Sequence, residues 1–280
     1  MSAAALTISQ SSLQDYSDCP RRFKLRYLDA LQYPGIESQP LAEYERHQIE
    51  GQRFHRMAHQ FALGIPEALI AQGALSTELQ RWWGEFVPFY RAEFGSVREL
   101  NPEASLSTPL GAARLVAKFD LLALCADGRM RIYDWKTYRA RPREAWLAAR
   151  WQTRVYRALL AQAGVQFQAG QPVDPGDIEM VYWFANFPAE PARFAYSRQQ
   201  FQRDWDALET LAGKIGAAAE AGAGEERFPM TEDQERCIYC PYRSYCARGV
   251  QAGALEFAQA EDAPEDSFDV DFEQIGEIAF

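Results

Sequence analysis

This sequence is short of several things, and each shortage excludes something. No apolar run reaches the roughly eighteen residues of a membrane-spanning helix, so none is expected. No Gly-x4-Gly-Lys-Ser/Thr string occurs, so the chain carries no ATP motor of its own. Only three histidines are present, His47, His55 and His59. His55 and His59 have i, i+4 spacing, but Arg56 stands where the zinc-protease string His-Glu-x2-His needs a glutamate. The opening, MSAAALTISQSS, lacks a charged n-region and an apolar h-region; no signal peptide is expected, and the expected compartment is the cytoplasm. Five cysteines without an export signal argue against a disulfide framework and for metal ligation. Cations are missing from one end: no Lys or Arg follows Arg248, while nine acids lie from Glu256 onward.

That last shortage explains the net charge of −10, from 29 Lys and Arg against 39 Asp and Glu. Without the acidic end the chain is close to neutral, and its cations are clustered. Lys136, Arg139, Arg141, Arg143, Arg150, Arg154 and Arg157 meet only Asp134 and Glu144 in their window, and Arg21, Arg22, Lys24 and Arg26 form a second group. Clustering, more than the sum, makes an electrostatic footprint for phosphates. The chain of 280 residues is long enough for one large core. We expect one domain over residues 1–257 and an acidic, flexible tail over 258–280. The tail would keep the protein soluble, dock on a basic groove of a partner, or mimic nucleic acid near the protein's own site.

Periodicity divides the chain into α and β parts. A helix is expected from about Ser11 to Leu31, capped by Ser11 or Ser12 and interrupted at Pro20. Further helices are expected over 42–63 and 77–94. Extended chain follows over 97–137, with Asp127-Gly128 between the apolar runs RLVAKFDLLALC and RMRIYDWKT as a hairpin signal. A long helix over 143–163, strands over 177–184 and 192–196, and a helix from Ser197 to about Ala221 complete the pattern. The expected class is α/β, with a mixed sheet flanked by helices.

Two groups of residues carry chemistry. Cys237, Cys240 and Cys246 lie in CIYCPYRSYC, a C-x2-C-x5-C metal spacing, and Cys19 can supply a fourth thiolate from the other end of the chain. Four thiolates suit zinc or an iron–sulfur cluster. Cys125, in LLALC, reads as a small core residue. The second group surrounds the hairpin. A three-residue turn of Ala126, Asp127 and Gly128 sets Asp120 opposite Asp134 on adjacent antiparallel strands, about 5 Å apart at Cβ. Lys136, two residues on, shares the face of Asp134. Two acids and a lysine on one face of apolar strands are costly unless a cation with oxygen ligands, Mg²⁺ or Mn²⁺, lies between the acids. Such a site would cleave phosphodiesters, with Lys136 stabilising charge on the phosphate. Gln152 and Tyr156, at i and i+4, share a helix face with several arginines nearby.

Together these residues resemble the RecB-type branch of the PD-(D/E)XK nuclease superfamily. Gly51-x3-His55, Asp120, Asp134-Trp135-Lys136-Thr137, then Gln152 and Tyr156 occur in the order of that branch, and SQSSLQDYSDCPRRFKLRYL is similar to its first helix. The placing of the cysteines resembles the iron–sulfur nucleases of the branch, among them the AddB C-terminal nuclease and the four-cysteine CRISPR-associated exonucleases. In one departure, Ala117-Lys118-Phe119 precedes Asp120 where the family often has Gly-x-x. The resemblance implies a restriction-endonuclease-like core. It implies His55, Asp120, Asp134 and the Trp135 carbonyl as ligands of a catalytic Mg²⁺ or Mn²⁺, Lys136 as the catalytic lysine, and Gln152 and Tyr156 as catalytic helix residues. It implies a 4Fe–4S cluster on Cys19, Cys237, Cys240 and Cys246 that joins the N- and C-terminal helical segments. The implied activity is exonuclease action on single strands or DNA ends. DNA is the partner, held by Arg139, Arg150 and Arg154, with a helicase or a CRISPR adaptation protein alongside. Two competing readings share these residues: a non-catalytic DNA-binding subunit, and a zinc-stapled interaction module.

Overall fold

Ser9, not Ser11 or Ser12, starts the first helix. Its side chain accepts from Ser12 N, and Ser12 Oγ accepts in return from Ser9 N at 2.8 Å, a reciprocal box that ties the first turn. In the computed structural model, which describes residues 6–31, 39–95, 97–222, 224–237 and 240–248 (39–45 as backbone only), helix α1 spans Gln10–Asp18. A two-residue strand β1, Thr7–Ile8, precedes it. Cys19 is extended, and Pro20 opens the short α2, Pro20–Phe23, at the one position where its missing N–H costs nothing. A π-turn follows over Lys24–Leu28, so the single helix expected here is broken in three. The expected tail over 258–280 lies outside the described residues.

Helices α3 (Gln39–Ala62), the single turn α4 (Glu67–Ile70) and α5 (Thr77–Phe94) come next. Helix α5 buries Leu79, Trp82, Trp83, Phe86, Val87 and Phe94. At about 1.5–3 kcal/mol for each large apolar side chain, that stripe far outweighs any cap in fixing the helix to the sheet. Among the described residues no helix is long and apolar enough to cross a membrane.

The strands are β2 (Val97–Pro102), β3 (Ser105–Leu110), β4 (Ala113–Lys118), β5 (Leu121–Cys125) and β6 (Met130–Lys136), then β7 (Ile178–Phe184) and β8 (Ala192–Ala195) after two helices. They form a five-stranded sheet in the order β2-β5-β6-β7-β8 and a three-stranded sheet in the order β1-β4-β3. Strands β6 and β7 run parallel while the other neighbours in the large sheet run antiparallel, which makes it the mixed sheet expected of this α/β chain. A parallel pair needs a long crossover. Helices α6 (Glu144–Ala149) and α7 (Trp151–Ala163) supply it.

These two helices replace the one expected over 143–163. Arg150 takes extended backbone (φ −65°, ψ 144°) between them, so a new helix N-terminus begins at Trp151. Helix α7 buries nine of its thirteen residues, because β7 lies on one side and β3, β4, α1 and α8 (Arg198–Glu220) crowd the others.

Side-chain alternation in β6 divides the core. Met130 and Ile132 join the apolar cluster around α7, whereas Tyr133 and Trp135 join the aromatic cluster around α3 and α5. By the same alternation Asp134 and Lys136 point to the α7 side.

The two ends of the described chain meet. Phe228, fully buried, stacks on Phe23 at 6.1 Å and meets Tyr16 edge-on. Arg21 N and Nε donate to Pro229 O and Phe228 O at 3.1 and 2.9 Å, and Tyr242 OH donates to Leu31 O at 3.1 Å. Arg236 pairs with Asp18. The C-terminal segment that carries the cysteines has a 3-10 turn, Gln234–Cys237, and turns over residues 241–247.

Candidate active site

The hairpin turn sets the geometry. Leu121 pairs with Tyr133 and Leu122 with Ile132, and the same register carried one step further puts Asp120 opposite Asp134. Three residues, Ala126, Asp127 and Gly128, make the turn; Gly128 has φ +88° and donates its N–H to Cys125 O. That left-handed residue is what keeps the register from slipping by one and sending the acids to opposite faces.

Strand β5 begins only at Leu121, so the carboxylate of Asp120 takes the place of a ladder partner. Its Oδ2 accepts from Trp135 N at 2.8 Å. The Trp135 carbonyl lies on the same edge of the strand as that N–H, since Lys136 O faces β7 and accepts from Ala185 N. His55 Nδ1 stands 3.4 Å from the same Asp120 oxygen. Gly51 makes this approach possible. A Cβ there would sit 3.1 Å from Thr137 Oγ1, so a larger residue would press on Thr137, and glycine lets α3 lie this close to the strand end and present His55 one turn later without that crowding.

Asp134 and Lys136 are both buried, with Lys136 Nζ 2.9 Å from Asp134 Oδ2. This is an interior ion pair, not a solvated one. The ammonium also lies 5.6 Å and 5.8 Å from the ring centres of Tyr138 and Tyr182. Gln152, in the first turn of α7, donates to Asp134 Oδ1 at 2.8 Å and to Tyr156 OH at 3.4 Å. Gln10 donates to the same hydroxyl at 3.4 Å. Thus Asp120, Asp134, Lys136, Gln152, Tyr156, His55 and the Trp135 backbone converge on one place, where the α3 and α7 layers meet at the strand ends.

The charges there are strained against one another. Burial pushes the Asp134 carboxyl up to about 6; the nearby Asp120 adds to this, and the attraction of Lys136 only partly opposes it. Burial would also raise Asp120, but His55 and the Trp135 N–H outweigh it and hold that carboxyl below its ordinary value. Burial would lower Lys136 and His55, yet Asp134 and Asp120 respectively keep both above theirs. Asp134 Oδ2 is buried, and its neighbour is the Lys136 ammonium at 2.9 Å, an ion pair rather than a well-aligned hydrogen bond. Two carboxylates facing each other across neighbouring strands are oxygen donors that fit a hard divalent cation. Among the described residues no group of three or more His, Cys, Asp or Glu side chains stands in metal-holding geometry as it is; the fit rests on the paired carboxylates.

Several neighbours carry no pattern in the sequence. Tyr182 lies beside Asp134 on β7. Its hydroxyl pairs with Thr153 Oγ1 at 2.7 Å and donates to Gln152 Oε1 at 3.5 Å, which fixes which end of the amide faces the acid. Gln14 Oε1 accepts from Trp151 N and so caps α7 from another helix. Only the parallel register of β6 and β7 could have found Tyr182.

The expected DNA-binding arginines separate. Arg139 is exposed just beyond Lys136. Arg150 stacks 4.7 Å over Trp146. Arg154 turns the other way, donating to Asp204 at 2.7 Å and covering Trp151, so it holds α7 to α8 instead of facing a groove. Arg157 is buried against Tyr196. The N-terminal cations are likewise paired: Arg22 with Asp15 and Asp18, Arg26 with Asp15, Lys24 with Asp29, Arg21 with Glu225. Much of the clustered positive charge thus holds the fold together.

Cys19, Cys237, Cys240 and Cys246 line one cavity with Arg22 and Arg248. Arg248 Nη1 donates to Cys237 Sγ at 3.5 Å. Burial pushes the Cys240 thiol up to about 11, with Arg22 pulling against it and the nearby Cys19 and Cys237 adding to it. Four soft donors line one space and have the chemistry of thiophilic metal ligands; among the described residues they do not stand in metal-holding geometry as they are. Cys125 is buried in β5, away from them.

A family model described as the PD-(D/E)XK nuclease superfamily matches residues 7–247. No curated protein matches the sequence. Among solved structures, one named SSO0001 is similar over 90% of this chain and 90% of its own, at 13% identity and a TM-score of 0.41. A Eubacterium rectale protein called "Putative exonuclease" is similar over 78% of this chain and 83% of its own, at 9% identity and a TM-score of 0.49. Both scores lie under 0.5, so neither likeness adds weight to the family match.

Proposed function

This chain belongs to the PD-(D/E)XK nuclease superfamily, and from that premise we propose that it is a Mg²⁺- or Mn²⁺-dependent deoxyribonuclease acting on single strands or DNA ends. The observation that supports this most is the acid–lysine trio: half-buried Asp120 opposite buried Asp134, with Lys136 Nζ 2.9 Å from Asp134 Oδ2. Asp120, Asp134, His55 and the Trp135 carbonyl would hold the cation. When bound, the cation supplies polarisation of the phosphodiester and acidifies a water for attack. The chain's own groups do the rest. Lys136 stays charged and lends positive charge to the phosphate oxygens as they gain negative charge. Gln152 fixes the rotation of Asp134, and Tyr182 and Tyr156 fix Gln152. The trio is complete within one chain, so a helicase or a CRISPR adaptation protein would deliver the strand without completing the site.

We read the four cysteines as ligands of a 4Fe–4S cluster with a stapling role. A zinc ion on the same thiolates is the second reading, favoured by nothing in the cavity over the first. The ends already meet through Phe228, Arg21 and Tyr242, so the cluster would lock a junction the protein itself forms.

The test is anaerobic purification, a visible spectrum with iron and sulfide content, and cleavage of labelled strands in Mg²⁺ and Mn²⁺. The expected result is iron-type absorbance and cleavage that Lys136→Ala reduces by about 10²–10³-fold. Metal-independent cleavage, or cleavage unchanged in Lys136→Ala, refutes the nuclease reading. Zinc without iron or sulfide refutes the cluster.

A further inference from the structure

Asp120 has Asp134 opposite it on one side and Glu103 on the other. Pro102 pairs with Leu121 and Ser105 with Lys118, so one antiparallel register runs unbroken from β2 into β3 and from β4 into β5. The same register puts Glu103 opposite Asp120. Glu103 and Ala104 on one chain, and Phe119 and Asp120 on the other, carry the passage between the two sheets. Glu103 N donates to Asp120 O at 3.0 Å and Phe119 N to Ala104 O at 2.9 Å, so the pairing holds through that bend. We infer that Glu103 is a positioning residue for the cation site of Asp120 and His55. The inference rests on the reading of the chain as a metal-dependent nuclease, and it adds a residue that no motif in the sequence marks.

In regular strands this register sets three carboxylates in a row on one face. The backbone of Glu103 breaks the row. Its φ is +52°, and the other non-glycine residues of positive φ among those described are alanines. The Glu103 carboxylate goes instead to Lys118 Nζ at 3.0 Å and to His59 Nδ1 at 3.9 Å. His59 stands one helical turn after His55, whose own Nδ1 is 3.4 Å from Asp120. Helix α3 is thus tied to two neighbouring strands by two adjacent histidine–carboxylate rungs. The outer rung keeps α3 at its distance from the strands, so the inner pair can turn its remaining atoms to a cation. Glu103 also takes up the ammonium of Lys118, two residues before Asp120. That leaves Asp120 to His55 and the Trp135 N–H. Groups that orient metal ligands from behind act in this way.

Stability does not account for a glutamate at this bend. A residue with a Cβ is disfavoured at positive φ, where glycine is at ease. The ion pair with Lys118 does little to offset that, because its side chains are 42% and 27% exposed and such pairs contribute little. Strain kept beside the candidate ligands is the mark of a functional position.

Glu103→Gly and Glu103→Gln separate the carboxylate from the backbone: the first removes charge and strain, the second the charge alone. Mn²⁺ is titrated by calorimetry into the anaerobically purified full chain without DNA, and the site lost in Asp120→Asn is the one followed. Both variants should bind Mn²⁺ there about tenfold more weakly. Both should melt in EDTA within about 4 °C of wild type, since only an exposed pair is lost. In cleavage of a labelled strand, the Mn²⁺ needed for half the full rate should rise by a similar factor, and excess Mn²⁺ should restore most of the rate. If Glu103→Gly fails to fold, Glu103→Gln carries the test. Mn²⁺ affinity in Glu103→Gln within about twofold of wild type overturns the inference. So does a larger fall in melting point, which marks a residue that only holds the fold, or a lost rate that excess Mn²⁺ does not restore. No Mn²⁺ at Asp120 in wild type overturns the inference and the nuclease reading together. Cleavage indifferent to Glu103 leaves a nuclease without this brace; Mn²⁺ binding that needs Glu103 in a chain that cleaves nothing leaves a metal-binding protein that is no nuclease.

Discussion

Replacing Asp134 by asparagine should stabilise the cation-free protein while abolishing cleavage. The carboxyl is buried, and its ionisation is pushed from 3.8 to about 6. At 1.36 kcal/mol per pKa unit, that rise places about 3 kcal/mol of strain on the folded state once Asp134 is charged. The attraction of Lys136 is already counted in this figure; burial and Asp120 outweigh it. The sign follows from proton binding. A carboxyl with a raised folded value holds its proton in the folded state where the unfolded chain has lost it, so its contribution is fully favourable below about pH 4 and is lost as pH rises through about 6. Asparagine imitates the protonated form and cannot ionise. In EDTA at pH 7.5, Asp134→Asn should therefore melt higher than wild type by about 6–12 °C, given about 2–4 °C per kcal/mol for a chain of this size. The gap should close on acidification towards pH 4. Adding Mn²⁺ should raise wild type towards the variant, because the cation offsets the repulsion between the Asp120 and Asp134 carboxylates, and should leave the variant nearly unmoved. Thermal melts at four pH values, with and without Mn²⁺, decide the matter. A variant no more stable than wild type at pH 7.5, or a gap independent of pH, would refute the reasoning, because it would mean that Asp134 is at ease as an anion.

Two further substitutions probe the supports of the site. Gln152→Ala removes the amide from Asp134 Oδ1; leaving that buried oxygen unpaired should cost about 1–3 kcal/mol in urea unfolding, with a fall in kcat larger than any change in KM. Gly51→Ala should fail to deliver the ~1 kcal/mol that alanine ordinarily adds to a helix interior, because its Cβ would press Thr137 Oγ1 at 3.1 Å; cleavage should drop in this variant with its melting point nearly unchanged, and a plain gain in stability with full activity would count against the close approach.

Legibility in the sequence followed from how local each determinant is. The hairpin could be read because seven residues on each side of Asp127 and a glycine able to take positive φ fix the register almost alone, and with it the pairing of Asp120 and Asp134. The helix over 77–94 and the cap at Ser197 were readable for the same reason: an apolar stripe and a side-chain cap lie within the segment itself. The break at Arg150 was not readable, because nothing in EAWLAARWQTRVY is a breaker. It comes from tertiary demand: Gln14 caps Trp151 N from another helix, and the second helix must begin there to aim Gln152 at Asp134. The cations misled in the same way. On paper Arg22, Arg154 and Arg157 are a phosphate footprint, but Asp15, Asp18, Asp204 and Tyr196 reach them from distant positions and turn them into cross-links. Charge clustered in sequence becomes a binding surface only where the fold brings no acids to meet it.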